Sequence, residues 1–206
     1  QIGTSELYGS VDFPADEESL IKPSSPYAAS KAAGDMHLLA ISKVLDFPMN
    51  ILRPSNSYGP GQQVHRIIPK AIICGLTGRK LPLQGGGQAR KSYIHARDLA
   101  HAIHLVVEQA PLGVIYNVGP PEPISIHDLV LKIAGEMSLS FEKLCEVTEA
   151  RLGDDALYWL DSNAIKRDVE WEPEIGLEKG IREMVEWAQE HLSYLRTLPA
   201  DYVLHA

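Results

Sequence analysis

A helical pattern of apolar positions follows Pro26. Apolar side chains recur there three or four residues apart, at Ala32, Met36, Leu39 and Ala40. This is the spacing of one face of an α-helix. Pro26 suits the first helical turn, and Ser25 or Ser24 can cap it. Pro48 disfavours continuation of the helix, so the pattern predicts a helix from Pro26 to about Leu45.

Shorter apolar runs alternate with helical patterns along the rest of the chain. Predicted strands cover 49–53, 80–83, 90–95 and 114–119, and a further one lies within 142–149. Predicted helices cover 66–76, a segment around 99–107, 126–137, 161–168 and 177–196. A strand, a helix and a second strand in succession form a βαβ unit, which requires parallel strands. The sequence therefore predicts an α/β fold with a parallel sheet.

Polar side chains follow two of the predicted strands. Thr4, Ser5 and Glu6 come after a short apolar segment at the start of the chain, and Asn56 follows the strand at 49–53. The loops at the carboxyl ends of parallel strands open on one edge of the sheet, where ligands bind in α/β proteins. We therefore expect these four side chains to lie near one crevice.

Tyr27 and Lys31 lie at the start of the predicted helix. They are four residues apart, so their side chains share one face of the helix, one turn apart. An ammonium group close to a phenol stabilises the phenolate, and the amino-terminal end of a helix adds partial positive charge. The pair is therefore a candidate general base.

Composition and charge exclude some classes of function. The 206 residues carry a net charge of −8, and no basic patch is long enough to follow a nucleic-acid backbone. No apolar run approaches the roughly 18 residues of a membrane span, and the histidines lack the spacing of a metal site. Cys74 and Cys145 have no paired spacing, so we expect packed thiols in a reducing cytoplasm.

Several motifs occur in an order that resembles a known family. They are Thr4-Ser5-Glu6-Leu7-Tyr8-Gly9, Pro26-Tyr27-Ala28-Ala29-Ser30-Lys31, Arg53-Pro54-Ser55-Asn56-Ser57-Tyr58-Gly59-Pro60, Arg90 before Tyr93-Ile94-His95-Ala96-Arg97-Asp98, and Tyr116-Asn117-Val118-Gly119. Together they resemble the extended short-chain dehydrogenase/reductases that act on nucleotide sugars. Within that family the greatest similarity is to nucleotide-sugar 4,6-dehydratases of the dTDP-glucose and GDP-mannose types.

The resemblance implies catalytic roles for several residues of the first two motifs. Tyr27 matches the base that takes the proton from the sugar 4-hydroxyl, and Lys31 matches the lysine that bonds the nicotinamide ribose and stabilises the phenolate. Thr4 matches a hydroxyl that bonds the substrate near O4. Glu6 matches the carboxylate that removes the C5 proton. Ser5 stands where the dTDP-glucose type has an aspartic acid, so Glu6 would serve as both base and acid.

Further residues are implied to bind the substrate, a nucleoside-diphosphate sugar. Asn56 matches an asparagine that contacts the phosphate or the sugar, and Arg90 and Arg151 match arginines that hold the pyrophosphate. Ser5 is also expected to contact the substrate. The family implies NAD or NADP as cofactor and a homodimer, for which the small residues on the helix after Pro26 are suited.

The resemblance also implies how the chain is divided. We expect 1–65 to be the remainder of a cofactor-binding Rossmann domain with the tyrosine and lysine. Residues 66–206 should form mainly a smaller α/β lobe for the nucleotide sugar, with 91–118 returning to the Rossmann sheet. The family's glycine-rich cofactor motif is not found. We therefore expect about the first third of the protein to lie outside this chain, which should be inactive alone.

Three alternatives remain at the level of the sequence. A nucleotide-sugar C4 epimerase shares the fold and most of the motifs, and the Thr4-Ser5-Glu6 triplet also resembles UDP-glucuronate decarboxylases. A C4 epimerase needs no base for the C5 proton, so Glu6 favours the dehydratase. A non-catalytic scaffold with an NAD(P) fold would have no need for Thr4, Tyr27 and Lys31 together.

Overall fold

The structure is a computed structural model that describes residues 1–149 and 157–199. It has two compact units. The first unit is described over 1–57, 89–124 and 157–174, and the second over 58–88, 125–149 and 175–199. Strands and helices alternate in the chain, and strands pair in parallel within each unit. The predicted α/β fold is confirmed.

The elements are numbered in chain order. The helices are α1 (Pro26–Leu45), α2 (Ile67–Thr77), α3 (Ala96–Gln109), α4 (Ile126–Glu136), α5 (Phe141–Leu144), α6 (Asn163–Val169), α7 (Leu177–Glu190) and α8 (Leu192–Leu195). The strands are β1 (Ile51–Pro54), β2 (Asn56–Tyr58), β3 (Leu81–Gln84), β4 (Arg90–Lys91), β5 (Tyr93–His95), β6 (Ile115–Val118), β7 (Ile124–Ser125), β8 (Cys145–Thr148) and β9 (Leu157–Tyr158). Within the described residues, 3₁₀ turns lie at Ser5–Tyr8 and Gly85–Gly87.

The first unit is built on parallel strands. β1 pairs with β6 in the register Ile51↔Ile115 to Pro54↔Val118. Ile2 forms a parallel bridge with Leu52 on the other side of β1. Helices α3 and α6 pack against this sheet through a buried cluster: Leu52, Ile94, Ala102, Val106, Tyr116, Val118, Ile165, Val169 and Trp171. These apolar side chains hold the strands whose ends carry the candidate site.

Helix α1 has the predicted bounds and the predicted cap. The Ser25 hydroxyl accepts a hydrogen bond from the Ala28 amide at 3.1 Å, and Pro26 occupies the first turn. The helix ends at Asp46, whose φ of 50° is left-handed. Its buried residues are Ala28, Ala32 and Asp35. The two alanines allow close approach of backbone, whereas the buried carboxylate requires a partner.

The second unit combines helices with one parallel strand pair. β3 pairs with β8 from Leu81↔Cys145 to Gln84↔Thr148. Helices α2, α4 and α7 pack together with buried Ile72, Ile133 and Met184. At Gly180 of α7, a Cβ atom would lie 2.1 Å from the Tyr58 hydroxyl. Only glycine allows this approach without displacement of the ring.

Two predicted elements are divided in the structure. The strand predicted over 90–95 is two short strands, because β4 pairs with β9 while the residues around β5 pair with Asn56. The helix predicted over 177–196 is interrupted at His191, whose φ and ψ of −106° and 12° are not helical. A short-range pattern does not reveal the division at 90–95, because it depends on the distant strands with which the two halves pair.

Candidate active site

The candidate site lies at the carboxyl edge of the parallel sheet in the first unit. The Gly3 amide donates to the Leu52 carbonyl at 2.7 Å, and the Leu52 amide donates to the Gln1 carbonyl at 2.9 Å. The first residues therefore run parallel to β1. Thr4 and Ser55 leave the sheet at the same edge, which is where α/β proteins bind ligands.

Thr4 begins a short 3₁₀ turn that contains Ser5 and Glu6. Its Oγ1 accepts a hydrogen bond from the Glu6 amide at 3.3 Å. Thr4 and Ser5 are buried, and Glu6 is half-buried. The turn ends at Gly9, with φ 68°, where a Cβ atom would lie 2.3 Å from the Lys22 carbonyl oxygen. The geometry therefore fixes both ends of the segment that carries the predicted carboxylate.

Tyr27 and Lys31 lie on the first two turns of α1. Tyr27 is 53% exposed, and its hydroxyl makes no hydrogen bond within residues 1–149 and 157–199. Lys31 is half-buried, and its ammonium donates to the Ile2 carbonyl at 2.6 Å. The phenol is thus accessible to a ligand, while the ammonium is held beside the segment that leads into Thr4.

The predicted substrate-binding residues are more widely spread. Asn56 is half-buried, and its amide nitrogen is 3.5 Å from the Ser92 carbonyl. Arg90 is exposed, and its Nη2 donates to the Pro123 carbonyl at 3.1 Å. Arg151 lies outside the described residues. Lys31 is therefore held beside the first residues of the chain, on which Thr4 and Glu6 lie. The phosphate-binding role of the arginines stays a prediction.

A buried ion pair lies behind the candidate site and was not predicted. Arg53 of β1 donates from Nε to Oδ2 of Asp35 in α1 at 3.0 Å. The two side chains are 2% and 0% exposed. A signal was present in the sequence: Asp35 interrupts the apolar face of a helix, and Arg53 ends an apolar strand. Buried charges of this kind need a partner.

Tyr8 and Asn117 extend this ion pair into a network. Arg53 donates from Nη1 to the Tyr8 hydroxyl at 2.8 Å, and that hydroxyl donates to Asn117 Oδ1 at 2.9 Å. Asn117 Nδ2 donates to the Ala15 carbonyl at 2.9 Å. Burial raises the pKa of the Tyr8 phenol, against the opposing effect of the Arg53 charge. The phenol is therefore a neutral hydrogen-bonding link, not a base.

Other chemistries find no support in the described part of the chain. Across residues 1–149 and 157–199, no cluster of three His, Cys, Asp or Glu side chains is arranged to hold a metal. Over the same residues, no helix has the length and apolarity needed to cross a bilayer. Cys74 and Cys145 are free and buried, as predicted, and burial raises the pKa of the Cys145 thiol.

Comparison with known proteins identifies the family. A family model described as GDP-mannose 4,6 dehydratase matches residues 1–184. The chain belongs to this family. This membership confirms the resemblance seen in the motifs. The parallel α/β arrangement of this family member also agrees with the folds of its structural neighbours.

Individual relatives of this family member are nucleotide-sugar enzymes. A dTDP-glucose 4,6-dehydratase from Streptomyces griseus is 33% identical over 201 residues, which cover 96% of this chain and 60% of that protein. A trifunctional UDP-glucose 4,6-dehydratase, epimerase and reductase from Arabidopsis thaliana is 30% identical over 90% of this chain and 28% of its own length. The chain therefore spans less than two thirds of either relative.

A solved structure supports the fold of the family member. The dTDP-glucose 4,6-dehydratase of Bacillus anthracis, crystallised with NAD, matches with a TM-score of 0.92 and 31% identity. The match covers 97% of this chain and 64% of that one. The similarity assigns the fold. The roles of Thr4, Ser5, Glu6, Tyr27 and Lys31 stay predictions.

Proposed function

We propose that the chain is part of an NAD-dependent nucleotide-sugar 4,6-dehydratase. The observation that carries the proposal is the position of Glu6, a half-buried carboxylate on the turn that Thr4 caps. With NAD as the hydride acceptor, a transient oxidation at C4 requires the tyrosine, the lysine and a hydroxyl from the protein. A dehydratase needs a further base for C5, and Glu6 is a carboxylate on the turn that packs against α1.

The residues present suit the nicotinamide end of NAD. The Tyr27 phenol is exposed, and Lys31 presents an ammonium on the same face of α1. Its bond to the Ile2 carbonyl uses one of its three donors, which leaves the others for ribose hydroxyls. Bound NAD would supply hydride acceptance at C4 and hydride return at C6, with uptake of a proton at C5 to complete the 4-keto-6-deoxy product.

Tyr27 and Thr4 have different roles at the sugar 4-hydroxyl. Tyr27 takes the proton from this hydroxyl as C4 is oxidised. Thr4 uses its oxygen to accept from the Glu6 amide, so its own O–H remains available to donate to O4. A hydrogen bond placed in advance at this oxygen lowers the barrier where charge develops.

Glu6 acts after C4 has become a carbonyl. A C5–H bond is not acidic until that carbonyl lies beside it, so oxidation must precede deprotonation. Glu6 then removes the C5 proton, and the 6-hydroxyl leaves as water. Ser5 is buried and is a poor proton donor, so we assign to Glu6 the return of the proton to the leaving hydroxyl.

The proposed substrate is a nucleoside-diphosphate sugar. Arg90 and Arg151 would bind the pyrophosphate, because the planar guanidinium matches phosphate oxygens. Asn56 would contact the phosphate or the sugar. Two arginines at one ligand would also offset the repulsion between an anionic substrate and a chain of net charge −8.

We also propose that the protein is a cytoplasmic homodimer. Helix α1 exposes Ala29 and Ala33, together with Met36 at 55% and Val44 at 77% exposure. These residues recur at helical spacing, so they form one apolar stripe that a second copy can cover. A monomer in light scattering of the whole protein would refute the dimer. The free, buried thiols suit a reducing compartment.

Replacement of Glu6 tests the reaction. In the whole protein with a panel of nucleotide sugars, Glu6→Gln should lower formation of the 4-keto-6-deoxy product by about 10²- to 10⁴-fold. Exchange of hydride at C4 should continue, because Tyr27 and Lys31 are intact. Mass spectrometry and NMR identify the products. The matched control is Glu18→Gln, an exposed carboxylate in the following segment, which should leave the rate unchanged.

Two outcomes would reject the dehydratase. A normal rate of 4-keto-6-deoxy product from the Glu6→Gln protein would show that Glu6 is not the C5 base. Inversion at C4 without loss of water, in the unaltered protein, would identify an epimerase instead.

A further inference from the structure

We propose that the buried Asp35–Arg53 ion pair is a positioning device for the reaction, in which neither residue touches the substrate. The pair would hold helix α1, the Thr4 turn and the strand that leads to Asn56 in one fixed arrangement. This inference rests on the proposed function, because it concerns the residues assigned there.

Asp35 lies in line with Tyr27 and Lys31 on α1. Tyr27, Lys31 and Asp35 are four residues apart in turn, so they lie on one row of the helix surface. Along this row, exposure falls from 53% at Tyr27 through a half-buried Lys31 to 0% at Asp35. Tyr27, the predicted base, therefore lies at the exposed end of this row, and Asp35 at the buried end forms the ion pair.

Arg53 connects α1 with two other segments of the first unit. It bonds Asp35 on α1, and it bonds the Tyr8 hydroxyl at the end of the 3₁₀ turn that Thr4 begins. It is also a residue of β1, three positions before Asn56. One guanidinium thus connects three segments that carry predicted site residues. Its planar donors fix direction as well as distance.

Gly3 lies close against the ion pair. A Cβ atom at Gly3 would lie 3.2 Å from each Asp35 carboxylate oxygen and 3.3 Å from Arg53 Cγ. Gly3 precedes Thr4 directly. A side chain there would press on the ion pair, so the pair and the backbone before Thr4 fit closely together.

An apolar contact would hold these segments less specifically. Apolar side chains tolerate small rotations and shifts of a helix, whereas a directional hydrogen bond between charged groups restricts both. Catalysis needs such restriction, since misplacement by about 1 Å can cost on the order of 10²-fold in rate. We therefore infer that the network matters more for kcat than for substrate affinity.

Two variants of the whole protein test the inference. Asp35→Asn removes the charge that faces Arg53, and Tyr8→Phe removes only one hydroxyl. We expect kcat to fall on the order of 10²-fold and tenfold, respectively, with KM changed by less than about threefold. The control is Val106→Ala in the core under α3, which should lower the melting temperature but not kcat.

Hydrogen–deuterium exchange of the protein without ligands gives a second measurement. In Asp35→Asn and Tyr8→Phe, amides in 1–9 and 26–36 should exchange faster, while those of 96–109 should not. If Asp35→Asn fails to fold, kcat and hydrogen–deuterium exchange of Tyr8→Phe alone test the positioning role.

Three results would overturn the positioning role. They are unchanged kcat and exchange in folded variants, faster exchange spread evenly over the chain, and a loss of kcat in Val106→Ala equal to that in Tyr8→Phe. If the unaltered protein yields no 4-keto-6-deoxy product from any nucleotide sugar, the proposed function fails. The exchange measurement still tests the network in that case.

Discussion

The Glu17 carboxylate accepts a hydrogen bond from the backbone amide of Asn117 at 2.7 Å. These residues are 100 positions apart, and Asn117 lies on the buried strand β6. Glu17 is half-buried. Burial raises the pKa of its carboxyl above the usual value, although the hydrogen bond from Asn117 acts in the opposite direction. The bond therefore holds an acidic segment against the sheet, while burial imposes a cost on the ionised form of the carboxyl.

This cost predicts a dependence of stability on pH. The folded pKa of Glu17 is above its unfolded value, so its ionisation should lower the free energy of unfolding as pH rises from about 4.5 through the folded pKa. Glu17→Gln keeps an acceptor oxygen without the charge. Denaturant unfolding at a series of pH values should show wild type losing stability relative to this variant across that range. A constant difference between the two would contradict the prediction.

A second prediction concerns the Thr4 hydroxyl. Thr4→Val keeps the shape of the side chain but removes both the cap on the Glu6 amide and the proposed donor to O4. We expect kcat to fall about 10²- to 10³-fold, as for other single donors at a developing charge. Thr4→Ser retains the hydroxyl and should recover most of the rate. A loss of rate in Thr4→Ser without one in Thr4→Val would indicate a role for the methyl group instead of the hydroxyl.

A third prediction uses two helical glycines of the second unit. Gly180→Ala places a methyl group within 2.1 Å of the Tyr58 hydroxyl and should destabilise the protein by about 1–3 kcal/mol. Gly135→Ala on α4 meets no atom within 4 Å. It should stabilise the protein by about 0.5–1 kcal/mol through helix propensity alone. Thermal unfolding of both variants measures these opposite shifts in Tm.

A fourth prediction concerns a hydrogen bond at the edge of the sheet. Tyr116 is fully buried and donates to Asp168 Oδ2 at 3.0 Å. Burial, followed by the hydrogen bond to the Asp168 carboxylate, raises the pKa of this phenol to about 12. Tyr116→Phe should cost about 1.5–3 kcal/mol, the usual range for hydrogen bonds to charged groups. An unchanged Tm would show that solvent replaces the bond without penalty.

Helix α1 could be predicted almost to the residue because its signals are local. Ser25 caps it, Pro26 begins it and Pro48 follows it within a few positions. The motif residues Thr4, Glu6, Tyr27 and Lys31 were also readable from short stretches of sequence. The structure places the first residues, including Thr4, beside β1, as the βαβ pattern predicted.

The ion pair and its network could not be predicted in the same way. Asp35 and Arg53 are 18 positions apart, and Tyr8 and Asn117 are 109 apart. Asp35 and Arg53 each interrupt an apolar pattern, but the sequence does not give their partners, and only the packed sheet brings the four residues together. The division of the predicted strand at 90–95 has a similar cause, since its two halves bond to different neighbours.

Asn117 has a practical consequence for protein engineering. Its side chain bonds the Ala15 carbonyl, and its amide bonds Glu17, so the acidic segment between Gly9 and Ser25 is anchored near its middle. Backbone hydrogen bonds of Val11 and Lys22 hold it at two further points, so the segment is not one free loop. An exchange of this segment between relatives should therefore keep the Ala15–Glu17 anchor, because its loss would detach the segment from β6.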